Sequence, residues 1–556
     1  MSVYGIDLGT TYSCLCKFED GKASVIQNVN DQSNSLPSAV YFESESSIVV
    51  GAEAKAMVQT DAANVVQFIK REIGKPFPPH EFFGQAFNAV EISALILKKI
   101  KTYAEEQGED VKDVVITCPA YFGLEERAAT KQAGELAGFN VLGIINEPTA
   151  ASISYAFRQG NGEFPEETVA IYDLGGGTFD VTVLKISSRD LNGVKVPHFS
   201  VIATGGDDTL GGKDWDDELE RILVAKVLQE KGCSEDELDE DDISAIKSKI
   251  EITKKSLSSK QTATVRIPVQ GETVKFEVTR EEFEEATASL MNRTTDCLSA
   301  ILAKPEVASE TISKILLVGG SSNMPMVPNK VKEMYPDIQV QLEEPELAVA
   351  KGAACYASLL TTGYSDEEDI GAGEGAAPAG EGEGAPKPVG AGAGFTDFVD
   401  DLTPRSFGIG VNSRSQGWTV NNLVKKDVVI GEATHVVKTY YVPFDGCEQI
   451  NVPVYQNISQ EDFVKPCTDV NGEPLESDPA DQVSELGKFV LNIPEISRRK
   501  GHPMVVDFLV DSAGIHIRVT DGETGEKFPD CDIVYNNTDF DRDEAETKIQ
   551  AFSIAD

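Results

Sequence analysis

The stretch Tyr172–Ile186, YDLGGGTFDVTVLKI, decides how the chain folds. Three consecutive glycines stand between two aspartates, and a run of alternating β-branched residues, Val181 to Ile186, follows at once. A glycine loop that holds phosphate commonly opens a helix, whose N-terminus supplies donors and a favourable dipole. Here the continuation is a strand, so the glycines are expected at the tip of a β-hairpin. The plan occurs twice. VYGIDLGTTYSCLCKF, from Val3, and VAIYDLGGGTFDVTVLKI, from Val169, share an apolar strand, Asp-Leu-Gly, small residues and a second strand.

A nucleotide polyphosphate makes definite demands. Glycines let backbone N–H groups approach phosphate oxygens with no Cβ in the way. Threonine hydroxyls add donors, and carboxylates can hold hydrated Mg²⁺, which keeps several waters and bridges to phosphate. Asp7 with Gly9, Thr10 and Thr11, and Asp173 with Gly175, Gly176, Gly177, Thr178 and Asp180, supply that set twice. Each turn alone reads equally well as a plain tight hairpin. No G-x-x-x-x-G-K-[ST] occurs, which excludes a P-loop, and no G-x-G-x-x-G opens a helix. ILLVGGSSNMPMV, from Ile315, adds a strand running into Gly319 and Gly320; it suits an adenosine site or a simple strand–helix turn.

At 556 residues the chain is expected to divide into two to four domains. The net charge of −43, from 92 acids against 49 bases, disfavours nucleic acid or an anionic membrane as principal partner, since both require a basic footprint. No run approaches the ~20 apolar residues of a membrane span, and the N-terminal residues lack the pattern of a signal peptide. Nine scattered cysteines without C-x-x-C suggest a reducing, cytoplasmic setting. The acidic run EDELDEDD, from Glu235, reads as the opening of a solvated helix whose first turn suits the helix dipole.

Strand and helix patterns alternate from residue 1 to 364, an α/β organisation. Composition breaks at Gly371–Gly394, a Gly/Ala/Glu/Pro tract, so 365–398 is assigned as a linker. Its 24-residue tract would span roughly 25–30 Å as a flexible coil. From 399 to 535 short β-rich runs separated by turn residues predict an all-β sandwich, with VDFLV–DSAG–IHIRV as its clearest hairpin. In the remainder, 536–556, the helical candidate runs from Asp541 to Phe552.

GIDLGTTYSC, INEPTAASISY, YDLGGGTFDVTV, LGGKDWD, ILLVGG and MPMV, in that order, resemble the heat-shock protein 70 (DnaK-type) chaperone family. The downstream DLTPRSFGIGV resembles the start of that family's peptide-binding sandwich. The resemblance implies an actin-like ATPase fold of two ribonuclease-H-like lobes followed by the β-sandwich, with ATP or ADP, Mg²⁺ and K⁺ as ligands. It implies that Lys70 places the attacking water and γ-phosphate, that Glu147, Asp173 and Asp180 lie near the hydrated metal, and that Asp7 and Asp180 hold potassium. Thr178 matches a hydroxyl close to the γ-phosphate. Tyr12, Gly211, Gly212, Glu251, Lys254, Lys255, Ser258, Ser321 and Asn323 fall on nucleotide-binding positions. Pro119 and Arg127 match a relay between the domains, and Val411, Tyr441 and Ile450 match cleft residues by approximate alignment, with sandwich core the favoured role for any one of them taken singly. Clients would be unfolded or extended polypeptides, with a J-domain co-chaperone and a nucleotide exchange factor as partners.

Four departures accompany the resemblance. Lys255 and Asn323 stand where the family commonly has arginine, which predicts weaker purine stacking. Only 17 residues separate Gly74 from Ile92, so one peripheral subdomain is pared down. Phe395-Thr-Asp-Phe-Val-Asp-Asp401 replaces a leucine-rich docking segment, which predicts poor docking and weak interdomain coupling. The residues after the sandwich are too short and too polar for a helical domain, so no helical lid is expected. Two functions follow as expectations: an ATP-driven chaperone, or a diverged scaffold that binds ATP and one dedicated partner. A small-molecule kinase of the same fold has no evident use for the sandwich.

Overall fold

The computed structural model describes residues 2–555 apart from 29–31, 76, 160–163, 192–193, 362–397, 414–416, 431–433, 458, 465–482, 512–513, 529–532 and 535–541. Most of the linker tract lies outside the described residues. Both glycine stretches form hairpin tips. Val3–Asp7 pairs antiparallel with Tyr12–Glu19, and Glu167–Leu174 pairs with Phe179–Leu191, setting Asp173 opposite Asp180.

Each hairpin is the centre of a sheet, and the two sheets share one order. Asn140–Asn146, Asp113–Cys118, Val3–Asp7, Tyr12–Glu19 and Lys22–Val25 make the first. Gln339–Leu342, Ile312–Val318, Glu167–Leu174, Phe179–Leu191 and Val194–Asp207 make the second. In both, the strand leading into the turn pairs parallel with the next strand inward and antiparallel with its hairpin partner. Helices cover these sheets, so strand Glu167–Leu174 is buried along nearly its whole length. Helix Ala348–Thr361 crosses strand Val3–Asp7 and helix Glu147–Gln159 on small residues: a Cβ on Gly5 would stand 2.1 Å from the Ala354 nitrogen, and one on Gly352 1.7 Å from the Ala150 carbonyl oxygen of that second helix. Backbones touch there because no side chain intervenes.

Six helices serve the site: α1 (Ala52–Ala56), α2 (Ala89–Glu105), α3 (Leu124–Leu136), α4 (Glu147–Gln159), α5 (Gly212–Lys231) and α6 (Glu240–Ser259). A capping box closes α2, with Asn88 and Glu91 each bonding the other's backbone N–H. The acidic run supplies a 3₁₀ turn and the first turn of α6, which Asp239 caps.

The segment after the linker corrects the expectation of poor docking. Val399–Asp400 adds in parallel to the open edge of the second sheet, opposite Phe199 and Ser200, so this pair belongs to the nucleotide half and not to the sandwich. Phe398 and Val399 are fully buried against Val196 and Phe199. Asp400 and Asp401 both find partners, although burial still raises the Asp401 carboxyl against Arg127, the Leu402 N–H and Asn146. Asp400 accepts from Ser200 Oγ at 3.0 Å and faces His198 Nε2 at 3.3 Å; Asp401 accepts from Asn146 Nδ2 at 2.8 Å.

Beyond lies the sandwich. Ser406–Ser413, Gly417–Val424, Gln449–Asn457, Phe463–Val464 and Val483–Asn492 form one sheet; His435–Tyr441, Pro503–Asp511, Gly514–Asp521 and Ile533–Val534 form the other. Phe407, Ile409 and Phe489 of the first face Val506, Phe508 and Ile517 of the second, the packing that alternating strands produce. The hairpin read from VDFLV–DSAG–IHIRV is present, with Asp511 opposite Gly514. The last helical candidate is helical over Arg542–Ala551, followed by a strand, Ser553–Ala555, that pairs with Ser47–Val50 of the nucleotide half.

Candidate functional site

Between the two sheets opens a cavity of about 940 Å³, within the range of small-molecule sites. Asp7, Gly9, Thr10, Thr11, Tyr12, Lys70, Glu147, Asp173, Gly175, Gly176 and Thr178 line it. So do Gly212, Glu251, Lys254, Lys255, Ser258, Gly319, Gly320, Ser321 and Asn323. Gly177, Gly211 and Asp180 stand one layer behind the wall. A Cβ on Gly211 would fall 2.5 Å from the Gly177 nitrogen, and Gly177 gives its carbonyl to Arg71 Nε at 3.1 Å.

The hairpin tips press against each other. A Cβ on Gly176 would lie 1.9 Å from Thr11 Oγ1, and one on Gly177 2.5 Å from Thr10 Cγ2. The second tip needs glycine because the first tip's threonines fill that space. Its carbonyls also satisfy the start of α5: Gly212 N–H donates to Gly175 at 2.9 Å and Lys213 N–H to Gly176 at 2.8 Å. Ser321 Oγ donates to the same Gly175 carbonyl at 2.9 Å, tying the third glycine stretch to the second.

The electrostatics are unbalanced. Lys70, on the turn Ile69–Arg71, is 5% exposed and bonds Glu147 at the start of α4. Burial works against its charge, but Glu147 and Asp7 outweigh that and hold the ammonium above its ordinary value. Asp7 is pushed up to about 6 by burial and by Glu147, against Lys70 and a hydrogen bond from Thr117 Oγ1. Asp173 and Asp180 are raised well above the carboxylate range, chiefly by burial and then by Glu147. Asp180 receives a backbone N–H from Ala120, but its Oδ1 has no partner. One buried lysine therefore faces four carboxylates, a deficit that a bound cation relieves. Among the described residues no three acidic, histidine or cysteine groups converge as direct metal ligands.

At the cavity mouth lies a bridge that sequence reasoning missed. Lys55 of α1 reaches across to Glu251 of α6 and to the Tyr12 hydroxyl, 3.1 Å away, with its ammonium 4.7 Å from the Tyr12 ring centre. Lys255 pairs with the same Glu251 at 2.9 Å. Burial would raise the Glu251 carboxyl, but Lys55, Tyr12 and Lys255 together lower it to about 2. No local pattern marks Lys55, which stands in an ordinary helical sequence. Arg71, beside Lys70, was also missed; it holds the second tip from below.

Of the two residues expected to form a relay, Arg127 lies beside the interdomain segment. Pro119 is buried in the loop whose next residue, Ala120, donates to Asp180. Arg127, on α3, bonds Asn146 and lies 4.0 Å from Asp401, just past the docked strand. Leu124 packs against the sandwich core, and Gln456 of the sandwich donates to Glu125 at 2.9 Å. Of the cleft residues, Val411 and Ile450 are partly buried against the sandwich core, while Tyr441 on the other sheet is 63% exposed.

Two matched glycine hairpins thus close on a charged crevice, and a β-sandwich docks beside them. A family model described as Hsp70 protein matches residues 3–82 and 78–371. The chaperone protein DnaK of Buchnera aphidicola subsp. Schizaphis graminum (strain Sg) is 30% identical over 558 residues, covering 94% of this chain and 77% of that protein. The chain belongs to the Hsp70 family of ATP-binding chaperones.

Proposed function

We propose that this chain is an ATP-dependent chaperone that binds extended apolar segments of unfolded proteins, with slow ATP hydrolysis biasing its hold on them. The two sheets of equal strand order are read as the paired lobes of an actin-like ATPase. The observation that carries the reading is Lys70, buried among Glu147, Asp7 and Asp173 beneath two interlocked glycine tips. Hydrated Mg²⁺, when bound with ATP, would neutralise charge on the transferring phosphoryl group. Asp173 and Asp180 would hold its waters, with Asp7 a further acidic partner for Mg²⁺ or K⁺. Lys70 orients the attacking water and Glu147 fixes the ammonium; Thr178 donates toward the terminal phosphate. Gly319, Gly320 and Ser321 receive the nucleoside end, with Lys254 and Ser258 on the facing helix. Catalysis so built is positioning and charge neutralisation, with no covalent intermediate on the protein.

Pro119, Arg127 and Asp401 would carry nucleotide state to the sandwich, whose Val411, Tyr441 and Ile450 are the proposed peptide contacts. A J-domain co-chaperone, an exchange factor and a cytoplasmic setting follow from the family. Single-turnover hydrolysis, with and without an unfolded client, tests the reading. Lys70→Ala is expected to abolish client-stimulated turnover, a loss of at least about 100-fold. Tight ATP binding with no turnover in the unmodified chain would overturn the hydrolytic part. That outcome belongs to a second reading, a scaffold that holds ATP and one partner without cycling. It draws support from the sandwich being fastened to the nucleotide half through Asp401, Gln456 and the Lys304–Asp427 pair at 3.9 Å.

A further inference from the structure

The last helix and strand of the sequence do not accompany the sandwich from which they emerge. Helix Arg542–Ala551 packs on α2 and α3, and Ser553–Ala555 adds in parallel to Ser47–Val50, setting Ser553, Ile554 and Ala555 opposite Ser47, Ile48 and Val49. Ala545, Ile549 and Phe552 are buried in the core of the first lobe. The Phe552 ring stands edge-on to Phe87 at 5.6 Å and Phe42 at 6.5 Å. Lys548 lies over the Phe87 ring at 4.1 Å and pairs with Glu91 at 2.9 Å, while Lys98 donates to the Ile549 carbonyl at 2.9 Å.

The two helices beneath this segment are those that serve the site. α2 packs on the turn bearing Lys70, and α3 carries Arg127 and touches the sandwich through Leu124 and Glu125. The sandwich is thus held at its entry by Val399–Asp400 and past its exit by the terminal segment. Eight peptide steps separate Val534 from Arg542 and reach at most about 28 Å. While the terminal segment is seated, the sandwich cannot travel further than that tether from the first lobe. Three apolar anchors, one short strand and the contacts of Lys548 and Lys98 hold it, against the conformational entropy of ordering fourteen residues, Arg542–Ala555. Such a balance favours reversible attachment.

We propose that Arg542–Ala555 is a detachable clasp that keeps the sandwich docked on the nucleotide half and must open before the sandwich can separate. The inference rests on neither reading of the ATP site. Hydrogen exchange and small-angle scattering on the full chain, on a chain ending at Asp541 and on Ile549→Asp test it. Loss of the clasp is expected to speed exchange at least tenfold at Ser47–Val50 and at the distant Val399–Asp400 pairing, and to enlarge the radius of gyration. Synthetic peptide 542–555 added to the shortened chain is expected to restore protection at both places. If the shortened chain fails to fold, Ile549→Asp carries the same comparison. Faster exchange confined to Ser47–Val50, with Val399–Asp400 and the radius unchanged, would overturn the clasp and leave a local sheet cap.

Discussion

Asp180 in the crevice and Asp521 in the sandwich are both buried carboxylates, 1% and 3% exposed, yet they live in opposite surroundings. Asp521 accepts from Ser497 Oγ and His502 Nε2, each at 2.5 Å, and from the backbone N–H groups of Glu523 and Thr524 at 2.8 and 2.9 Å. Burial alone would raise its carboxyl, but those donors outweigh it and hold the group well below the usual carboxylate range. Asp180 has one backbone donor, an orphan oxygen, and Glu147 and Asp173 as negative neighbours. A carboxylate with a full set of donors is a structural joint. One buried without them is a vacancy for charge, and it marks where the molecule binds.

Exchanging each for its amide or for alanine tests that distinction most severely. Asp180→Asn removes a repulsive buried charge, so the nucleotide-free protein is expected to melt about 2 °C or more higher, while Mg-ATP affinity falls about 100-fold by calorimetry. Asp521→Ala strands His502 and two backbone donors and is expected to cost about 2–4 kcal/mol of sandwich stability with ATP affinity unchanged. Destabilisation by both substitutions would erase the contrast.

Titration separates the two regions next. Asp7, raised to about 6 in the fold, contributes stability that is complete below the unfolded carboxylate value near 4 and lost as pH rises through 6. Asp521, depressed in the fold, does the reverse: its contribution is present above about 4 and lost as pH falls. Without nucleotide, the melting of the nucleotide half is expected to drop between about pH 4 and 6 and that of the sandwich to hold steady. Saturating Mg-ATP should flatten the first profile. Calorimetric scans across pH 4–8 check both, and a parallel pH response of the two transitions would contradict the assignment.

The crevice was legible in sequence because its chemistry is local. Each hairpin tip is contiguous, and an aspartate beside glycines at the end of an apolar strand announces both the turn and its charge. The sandwich was legible for the same reason, since alternation within VDFLV or QINVPVYQ needs no distant partner. Docking was not. Phe398 and Val399 read as a weak apolar pair between aspartates, and only the open edge at Phe199–Ser200, with Asn146, Ser200 and His198 placed to receive those aspartates, makes the segment fit. Strand Ser553–Ala555 pairs with residues some five hundred positions earlier, a match its three residues cannot encode. Lys55 was silent because its value lies in the gap it spans.

That gap gives a smaller effect. Lys55 of α1 and Glu251 of α6 line the cavity and pair with each other, with the Tyr12 hydroxyl bonded to both. The pair is part-buried, so its loss is expected to loosen closure without destroying the fold. Lys55→Ala should speed nucleotide release about three- to tenfold in stopped-flow measurements, with hydrolysis of bound ATP little changed. An unchanged release rate would make the bridge a bystander.

The smallest expected effect concerns the purine. Lys255 is drawn toward Glu251 and lies 5.3 Å from the Tyr12 ring centre, while the Asn323 amide donates to the Gly320 carbonyl of its own turn at 3.0 Å. Neither offers the broad planar cation that stacks on an aromatic base. Asn323→Arg supplies such a plane at an exposed position beside Gly320, where the chain has room for it. ATP affinity is expected to rise about two- to fivefold, with a smaller gain for a nucleotide bearing a pyrimidine, because cation–π contact at exposed sites contributes only about 0.5–1 kcal/mol. Equal gains for purine and pyrimidine would assign the effect to charge alone. No gain at all would mean that the purine already stacks on another surface of the cavity.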